Sequence, residues 1–117
     1  MPAVQRLEIQ EIGDVTVLRF RDPRITHPLE IEELGRQLYR VLEVKHCAKL
    51  VIDFSPVEFL SSATIGKLIS LNHKVKVCKS ALRLCNLRPQ IRDVFHLCNL
   101  DRVFDIREDQ AAALASF

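Results

Sequence analysis

Several residue types are scarce in this sequence, and each shortage argues against a class of protein. Its 117 residues include only three glycines, and no glycine-rich phosphate loop is present, which argues against a nucleotide enzyme. No apolar run approaches the ~18 residues of a membrane-spanning helix. The first ten residues lack the basic start and apolar run of a signal peptide. We therefore expect a cytoplasmic protein that does not engage a membrane.

Neither sign of charge is in excess. The 17 basic and 15 acidic residues give a formal net charge of +2, whereas a dedicated nucleic-acid binder carries a strong basic surplus. The hydrophobic content of 48% is too high for a disordered chain. A chain of this length is sufficient for one domain and hardly for two. We expect a single globular domain that spans residues 1–117 and does not bind nucleic acid directly.

The four cysteines are far apart and form no C-x-x-C pair: Cys47, Cys78, Cys85 and Cys98. This spacing predicts free, mostly buried thiols in a reducing cytosol. A zinc site needs paired ligands, and the adjacent His46 and Cys47 have no matching second pair. We predict no metal and no cofactor.

Two strands are predicted at the start of the chain. Apolar and polar residues alternate over Leu7–Ile12 and over Val15–Phe20. Gly13 and Asp14, which lie between these segments, suit a tight antiparallel hairpin. Three residues of the second strand are expected to share one side of the sheet: Val15, Val17 and Phe20.

Helices and strands then alternate. A loop over residues 21–27 precedes a helix that begins at Pro28, where apolar residues recur at helical spacing. The further predicted elements are a strand over 49–54, a helix over 62–77, a strand over 81–85, a helix over 89–98, an edge strand over 103–106 and a helix over 107–117. This order predicts an α/β domain with a mixed sheet of four to five strands, an N-terminal antiparallel hairpin followed by parallel crossovers, covered by about four helices.

Two adjacent serines stand where the loop after the central strand meets the next helix. At about 100° per residue, Ser61 points toward the apolar side of that helix, while Ser62 falls at its edge near Gly66 and Ser70. The start of a helix offers unpaired N–H groups and partial positive charge, so a serine there can cap the helix or carry a phosphate. We predict that Ser61 is the cap and that Ser62 presents an exposed hydroxyl. The inward face is predicted to contain Thr64, Ile65, Leu68, Ile69, Leu71, Asn72, Val75 and Cys78.

Gly66 lies one turn after Ser62 in this predicted helix. A glycine inside a helix costs about 1 kcal/mol relative to alanine. Two explanations stay open: a partner's backbone approaches closely over Ser62 and Gly66, or Gly66 packs tightly against a strand.

Other candidate chemistry is weaker. The sequence has no G-x-S-x-G element, and none of its four histidines is placed beside the serines by sequence, so we predict no enzyme. Asp53 and Glu58 are expected to cap loops and not to bind a metal. Four lysines form a solvated helix face or meet an acidic partner: Lys67, Lys74, Lys76 and Lys79.

Two segments resemble the STAS domain family, which comprises anti-sigma-factor antagonists and their relatives in sulphate transporters and stress-signalling complexes. They read F-L-S-S-A-T-I-G over 59–66 and R-P-Q-I-R-D-V-F-H-L-C-N-L-D-R-V-F-D-I over 88–106. The resemblance covers about 7–106, with a C-terminal helix beyond it. In the family, a phenylalanine and an apolar residue precede Asp-Ser-Ser-Gly-Leu-Gly, and Ser62 falls on the phosphorylated position.

The resemblance implies a mechanism. The unphosphorylated domain docks onto an anti-sigma factor that is also a serine kinase, phosphorylation of Ser62 breaks the complex, and a phosphatase restores it. The residues expected to contact this partner are Thr26, Ser61, Ser62, Ala63, Gly66, Lys67 and Ser70. The domain itself is expected to be a monomer or a weak homodimer.

The chain departs from the family pattern at the helix start. Ser61 replaces the aspartate, Ala63 the second serine and Thr64 the first glycine. A further family aspartate, in the loop after the second strand, is absent from residues 24–26. Ser61 either replaces the aspartate simply as a cap, so that Ser62 is still phosphorylated, or its presence marks a non-phosphorylated scaffold or sensory module of a stress-signalling complex.

Overall fold

A computed structural model describes residues 5–44 and 48–117. Over these residues the chain forms seven strands and four α-helices: β1 Leu7–Ile12, β2 Val15–Phe20, β3 Arg24–Ile25, α1 Pro28–Val44, β4 Lys49–Asp53, β5 Phe59–Leu60, α2 Ser62–Val77, β6 Ala81–Cys85, α3 Pro89–Leu97, β7 Asp105–Arg107 and α4 Gln110–Ala115. This confirms the predicted order, with β3 and β5 as short additional strands.

The main sheet has five strands in the order β1-β2-β4-β6-β7. β1 and β2 are antiparallel, and each later neighbour pairs in parallel. Parallel neighbours need a crossover connection, and α1, α2 and α3 provide three of these. The mixed α/β fold predicted from the sequence is therefore confirmed.

Helices α1, α2 and α3 cover one face of this sheet. Their apolar side chains join those of the strands in one buried cluster, in which Leu34, Leu38, Leu50, Leu68 and Phe95 are fully buried. The other face is covered by the short helix α4. There Ala113 packs with four residues of the sheet: Val15, Val17, Val51 and Cys85. The central strand β4 is thus buried on both faces, as its apolar run predicts.

The predicted side of Phe20 is wrong. Successive side chains of a strand point to opposite faces, so Phe20 lies opposite Val15 and Val17. It packs in the helix-covered cluster, where its ring centroid is 5.0 Å from that of Phe54.

The last two elements differ from their predicted bounds. A 3-10 turn, Leu100–Arg102, takes up residues before β7, so the edge strand begins at Asp105 and not at 103. Helix α4 starts only after Asp109, whose carboxylate accepts a hydrogen bond from the backbone N–H of Ala112 at 2.8 Å. The cap therefore delays the helix predicted over 107–117.

The thiols are less buried than predicted. Cys85 is fully buried, and burial raises its pKa to about 12. Cys78 and Cys98, in contrast, are exposed, because each is the residue that ends a helix. Cys47 lies outside the described residues, as does the candidate pair it forms with His46.

Two further findings concern residues 5–44 and 48–117 alone. No cluster of three histidine, cysteine, aspartate or glutamate side chains there has a geometry that could hold a metal ion. No helix in the same part of the chain is both long and apolar enough to cross a membrane.

Candidate functional site

The site is built at the start of α2, where two loops are held together by a small second sheet. Strands β3 and β5 pair in parallel, with Arg24 opposite Phe59 and Ile25 opposite Leu60. The carbonyl oxygen of Pro23 also accepts a hydrogen bond from the backbone N–H of Glu58 at 2.9 Å. This pairing fixes the segment that leads into the two serines.

The paired strands bring Thr26 to the site. The last register pair joins Ile25 to Leu60. Thr26 and Ser61, which follow these two residues, therefore lie on neighbouring segments of the chain. Thr26 is exposed. Sequence reasoning placed residues 21–27 in a loop and missed this sheet, since two paired residues on each side are too few to show an alternating pattern.

Ser61 is the N-cap of α2, as predicted. Its hydroxyl oxygen accepts a hydrogen bond from the backbone N–H of Thr64 at 3.2 Å and lies 3.0 Å from the Thr64 hydroxyl. Its backbone is extended, with φ −76° and ψ 159°, as expected of a capping residue. Thr64, which occupies a family glycine position, is fully buried. Its hydroxyl is therefore satisfied by the cap.

Ser62 is the first residue of α2 and is exposed. No side-chain hydrogen bond of Ser62 is found among the residues that the structure describes. The two serines thus differ sharply: the Ser61 hydroxyl is engaged by the helix end, while the Ser62 hydroxyl faces outward without a protein partner there. The predicted division between an inward cap and an outward hydroxyl is confirmed.

The exposed side of α2 below Ser62 carries small, apolar and imidazole side chains. The exposed residues along it are Ser62, Ala63, Gly66, Ile69, Ser70 and His73. None of them is an acid, a lysine or an arginine. We call this set the α2 outer face. It extends over about three helical turns from Ser62.

Gly66 stands in the open on the α2 outer face. A Cβ atom built there meets no atom within 4 Å. The explanation that Gly66 packs tightly against a strand is therefore wrong. The other explanation, close approach of a partner, stays a prediction.

Most of the predicted inward face of α2 is confirmed. Five of its residues are buried: Thr64, Leu68, Leu71, Asn72 and Val75. Ile65 is half-buried, and Ile69, which lies at the edge of the arc, is 42% exposed. Ile69 therefore belongs to the α2 outer face and not to the core. Cys78 is also exposed, since it lies beyond the last helical residue.

Two of the four lysines connect α2 to α1. The Lys67 ammonium lies 2.9 Å from a carboxylate oxygen of Glu32, and the hydrogen bond from Lys67 lowers the pKa of that carboxyl. The Lys74 ammonium lies 4.8 Å from the centroid of the Tyr39 ring, within cation–π range. Lys67 therefore borders the α2 outer face with its charge already paired inside the domain.

Asp53 stabilises the loop after β4, as predicted. It is 4% exposed, and its Oδ1 accepts hydrogen bonds from the Ser55 backbone at 2.9 Å and from the Asn86 side chain at 3.1 Å. Glu58 is exposed and lies 3.9 Å from Arg24. The two carboxylates thus have separate structural partners.

Comparison with known proteins assigns the fold. The model of the STAS domain family matches residues 6–113. A curated relative from Bordetella bronchiseptica, a candidate anti-sigma factor antagonist named BtrV, is 26% identical over 69 residues, which cover 59% of this chain and 60% of that protein. The match thus spans only about 60% of the length of the curated relative.

Solved structures show the same fold over almost the whole chain. A STAS domain protein from Planctomyces limnophilus, described as an anti-sigma-factor antagonist, superimposes with a TM-score of 0.82 at 24% identity and covers 93% of this chain and 96% of that one. A candidate anti-sigma factor antagonist from Thermotoga maritima gives a TM-score of 0.84 at 16% identity, with 94% and 92% covered.

Proposed function

This chain belongs to the STAS domain family, and from that premise we propose that it is an anti-sigma factor antagonist. It docks onto a kinase-type anti-sigma factor through the α2 outer face, and phosphorylation of Ser62 by that partner releases it. A phosphatase then restores the docking form. The observation that supports this proposal most directly is the exposed hydroxyl of Ser62, which has no hydrogen-bond partner among the described residues and lies on the α2 outer face.

The composition of the α2 outer face explains why one phosphate would act as a switch. Phosphorylation adds about −1.5 to −2 charges at neutral pH. The α2 outer face has small and apolar side chains and contributes no lysine or arginine that could pair with this charge when the partner covers it. Burial of an unpaired charge is strongly unfavourable. The open space above Gly66 allows the partner's backbone to come close to Ser62.

The free domain accommodates the same phosphate more easily. Ser62 lies in the first turn of α2, where the helix dipole and the unpaired N–H groups favour negative charge. No acidic residue occupies that turn, so the phosphate meets no acid within the turn itself. The modification therefore weakens docking much more than it weakens the fold.

The cap bears on the departure from the family pattern at Ser61. Serine and aspartate cap helices about equally well, and the Ser61 hydroxyl makes the capping bond to Thr64. This supports the view that Ser61 replaces the family aspartate as a cap and leaves Ser62 available. The alternative, a scaffold or sensory STAS module that is not phosphorylated, predicts a different result in both of the following experiments.

The first experiment tests phosphorylation. The chain is incubated with a kinase-type anti-sigma factor and ATP, and tryptic peptides are analysed by mass spectrometry. We expect phosphate on Ser62, none on the Ser62→Ala variant, and none on Ser61, whose hydroxyl is held in the cap. If the anti-sigma factor binds the chain but leaves Ser62 unmodified, the scaffold or sensory role is supported instead.

The second experiment tests docking by calorimetric titration of the same partner. Ser62→Asp should abolish binding, and Ser62→Ala should retain it. Gln90→Asp is the matched control, since it adds the same charge in the first turn of α3, at an exposed position away from α2. Equal losses for Ser62→Asp and Gln90→Asp would show that net charge matters and that position 62 has no special role.

A further inference from the structure

A second concave surface lies between β1, at the edge of the sheet, and α1. It is a cavity of about 270 Å³. Six of the described residues line it: Gln5, Ile9, Gln37, Arg40, Val41 and Val44. The lining is mainly aliphatic, with amide groups and one guanidinium at its border. Neither the match to the STAS family nor the proposed switch at Ser62 assigns a role to this cavity.

The cavity exists because the helices on this face of the sheet do not cover the edge strand β1 completely. Leu7 and Ile9 point to the same face of β1. Leu7 is fully buried, whereas Ile9 is 49% exposed. On α1, Val41 is 9% exposed and Val44 68%. The apolar face of the sheet therefore remains open beside the last turn of α1.

Arg40 is the one charged side chain among the described residues that line this cavity. It is exposed, and it forms no ion pair with residues 5–44 or 48–117. Arg6, which follows the cavity residue Gln5, by contrast pairs with both Asp22 and Glu33. Arg40 thus leaves a positive charge without a counter-charge at the border of an apolar cavity.

We propose that this cavity binds a small amphipathic monoanion, an aliphatic or aromatic carboxylic acid whose apolar part lies on Ile9, Val41 and Val44. Its carboxylate pairs with Arg40. A cavity of about 150 Å³ holds one benzene molecule, so the larger volume here suits about eight to ten carbon atoms. Guanidinium groups bind carboxylates with two parallel hydrogen bonds, which provides the specificity for an acid over an alcohol.

A second copy of the chain fits this cavity less well. Docking of copies through β1 would bring together two edges that each carry Glu8 and Glu11, and charged edge strands oppose such pairing. A small acid neutralises Arg40 and covers Ile9 in one step.

The test uses octanoate, octanol and butyrate as probes of the full chain, followed by ¹H–¹⁵N correlation spectra. Octanoate should shift the amide signals of Ile9, Val41 and Val44 with saturation, octanol should bind about tenfold more weakly, and butyrate should bind more weakly still. Arg40→Gln should weaken octanoate binding about five- to tenfold and leave octanol binding unchanged. A charge-assisted hydrogen bond is strong enough for such a change even when partly exposed.

Arg36→Gln is the matched control, because it removes the same charge one turn earlier on α1 and does not line the cavity. Equal losses of octanoate affinity in the two variants would contradict the proposal, as would shifts spread over the whole surface. Val44 lies at the opposite end of α1 from Pro28, about 24 Å along the helix axis. Ser62 is not among the residues that line the cavity, so the result of this test does not depend on the proposed switch.

Discussion

Helices α1 and α2 lie side by side over the same face of the sheet, and the outward side of α1 differs from that of the first three turns of α2. The outward side of α1 is charged, with Glu32, Arg36, Arg40 and Glu43 exposed, whereas the α2 outer face has small, apolar and imidazole side chains from Ser62 to His73. Both helices bury an apolar side in the same cluster. The inward sides therefore specify the fold, while the outward side of α2 is the one that the proposed function assigns to the partner.

The charge at the start of each helix shows the same difference. The first turn of α1 carries Glu30, which complements the helix dipole, but the first turn of α2 carries no acid. The position that a carboxylate would favour is instead occupied by the exposed hydroxyl of Ser62. In the proposed function a phosphate supplies this charge only when the switch is set.

The largest effect should separate the two sides of α2. Leu68 is fully buried, so Leu68→Ala should lower the free energy of unfolding by about 2–5 kcal/mol through lost burial and a residual cavity. Ser70→Ala, on the α2 outer face, should change it by less than about 0.5 kcal/mol. Urea unfolding followed by circular dichroism measures both, and similar losses would contradict the division into a structural and a free side.

The next effect should separate the two serines. Ser61→Ala removes the cap and should cost about 1 kcal/mol of unfolding free energy. Ser62→Ala should cost far less, because its hydroxyl has no partner among the described residues. Thermal and urea unfolding of the two variants under one buffer condition compare them directly. A greater loss at position 62 would show that its hydroxyl is structural and would weaken the proposed switch.

The sequence predicts the inner sides of these helices well and the short or irregular segments poorly. Amphipathic spacing identifies α1 because its apolar residues recur at helical spacing, and the bounds of α2 are predicted to the residue. The predicted face of Phe20 is wrong because Phe20 is an odd number of residues away from Val15 and Val17, so its side chain points to the other face of the strand. β3 and β5 have no pattern to recognise, and their pairing depends on contacts between distant parts of the chain.

The candidate site divides in the same way. The cap at Ser61 follows from local rules of helix starts, so the sequence suffices. The proximity of Thr26 depends on the β3–β5 pair, and the open space above Gly66 depends on where neighbouring elements end. The pattern of a single sequence predicts neither the proximity of Thr26 nor the open space above Gly66. The phosphorylated position comes only from the resemblance to the STAS family.

A smaller effect, of the opposite sign, should distinguish the glycines of the two helices. Gly66→Ala meets nothing within 4 Å, so it should raise the unfolding free energy by about 0.5–1 kcal/mol through helix propensity. Its added methyl group should nevertheless weaken docking onto the anti-sigma factor. Gly35→Ala is the matched control, since its Cβ would lie 3.0 Å from Cδ of Lys67 and its gain should be smaller. Unchanged docking by Gly66→Ala would show that the glycine is not at the interface.

The smallest effect concerns the ion pair that joins the two helices. The hydrogen bond from Lys67 holds the pKa of the Glu32 carboxyl below the ordinary value of a glutamate. A carboxyl whose pKa is lowered by folding stabilises the fold above its unfolded pKa, and this contribution is lost as the pH falls through the folded value. The difference in midpoint temperature between the wild type and Glu32→Gln should therefore be present at pH 7 and disappear in the acid range below the usual pKa of glutamate. Because the Glu32 carboxylate of this pair is exposed, the difference in midpoint temperature should be small. A large difference would mean that Lys67 positions α2 against α1 and does not merely border the α2 outer face.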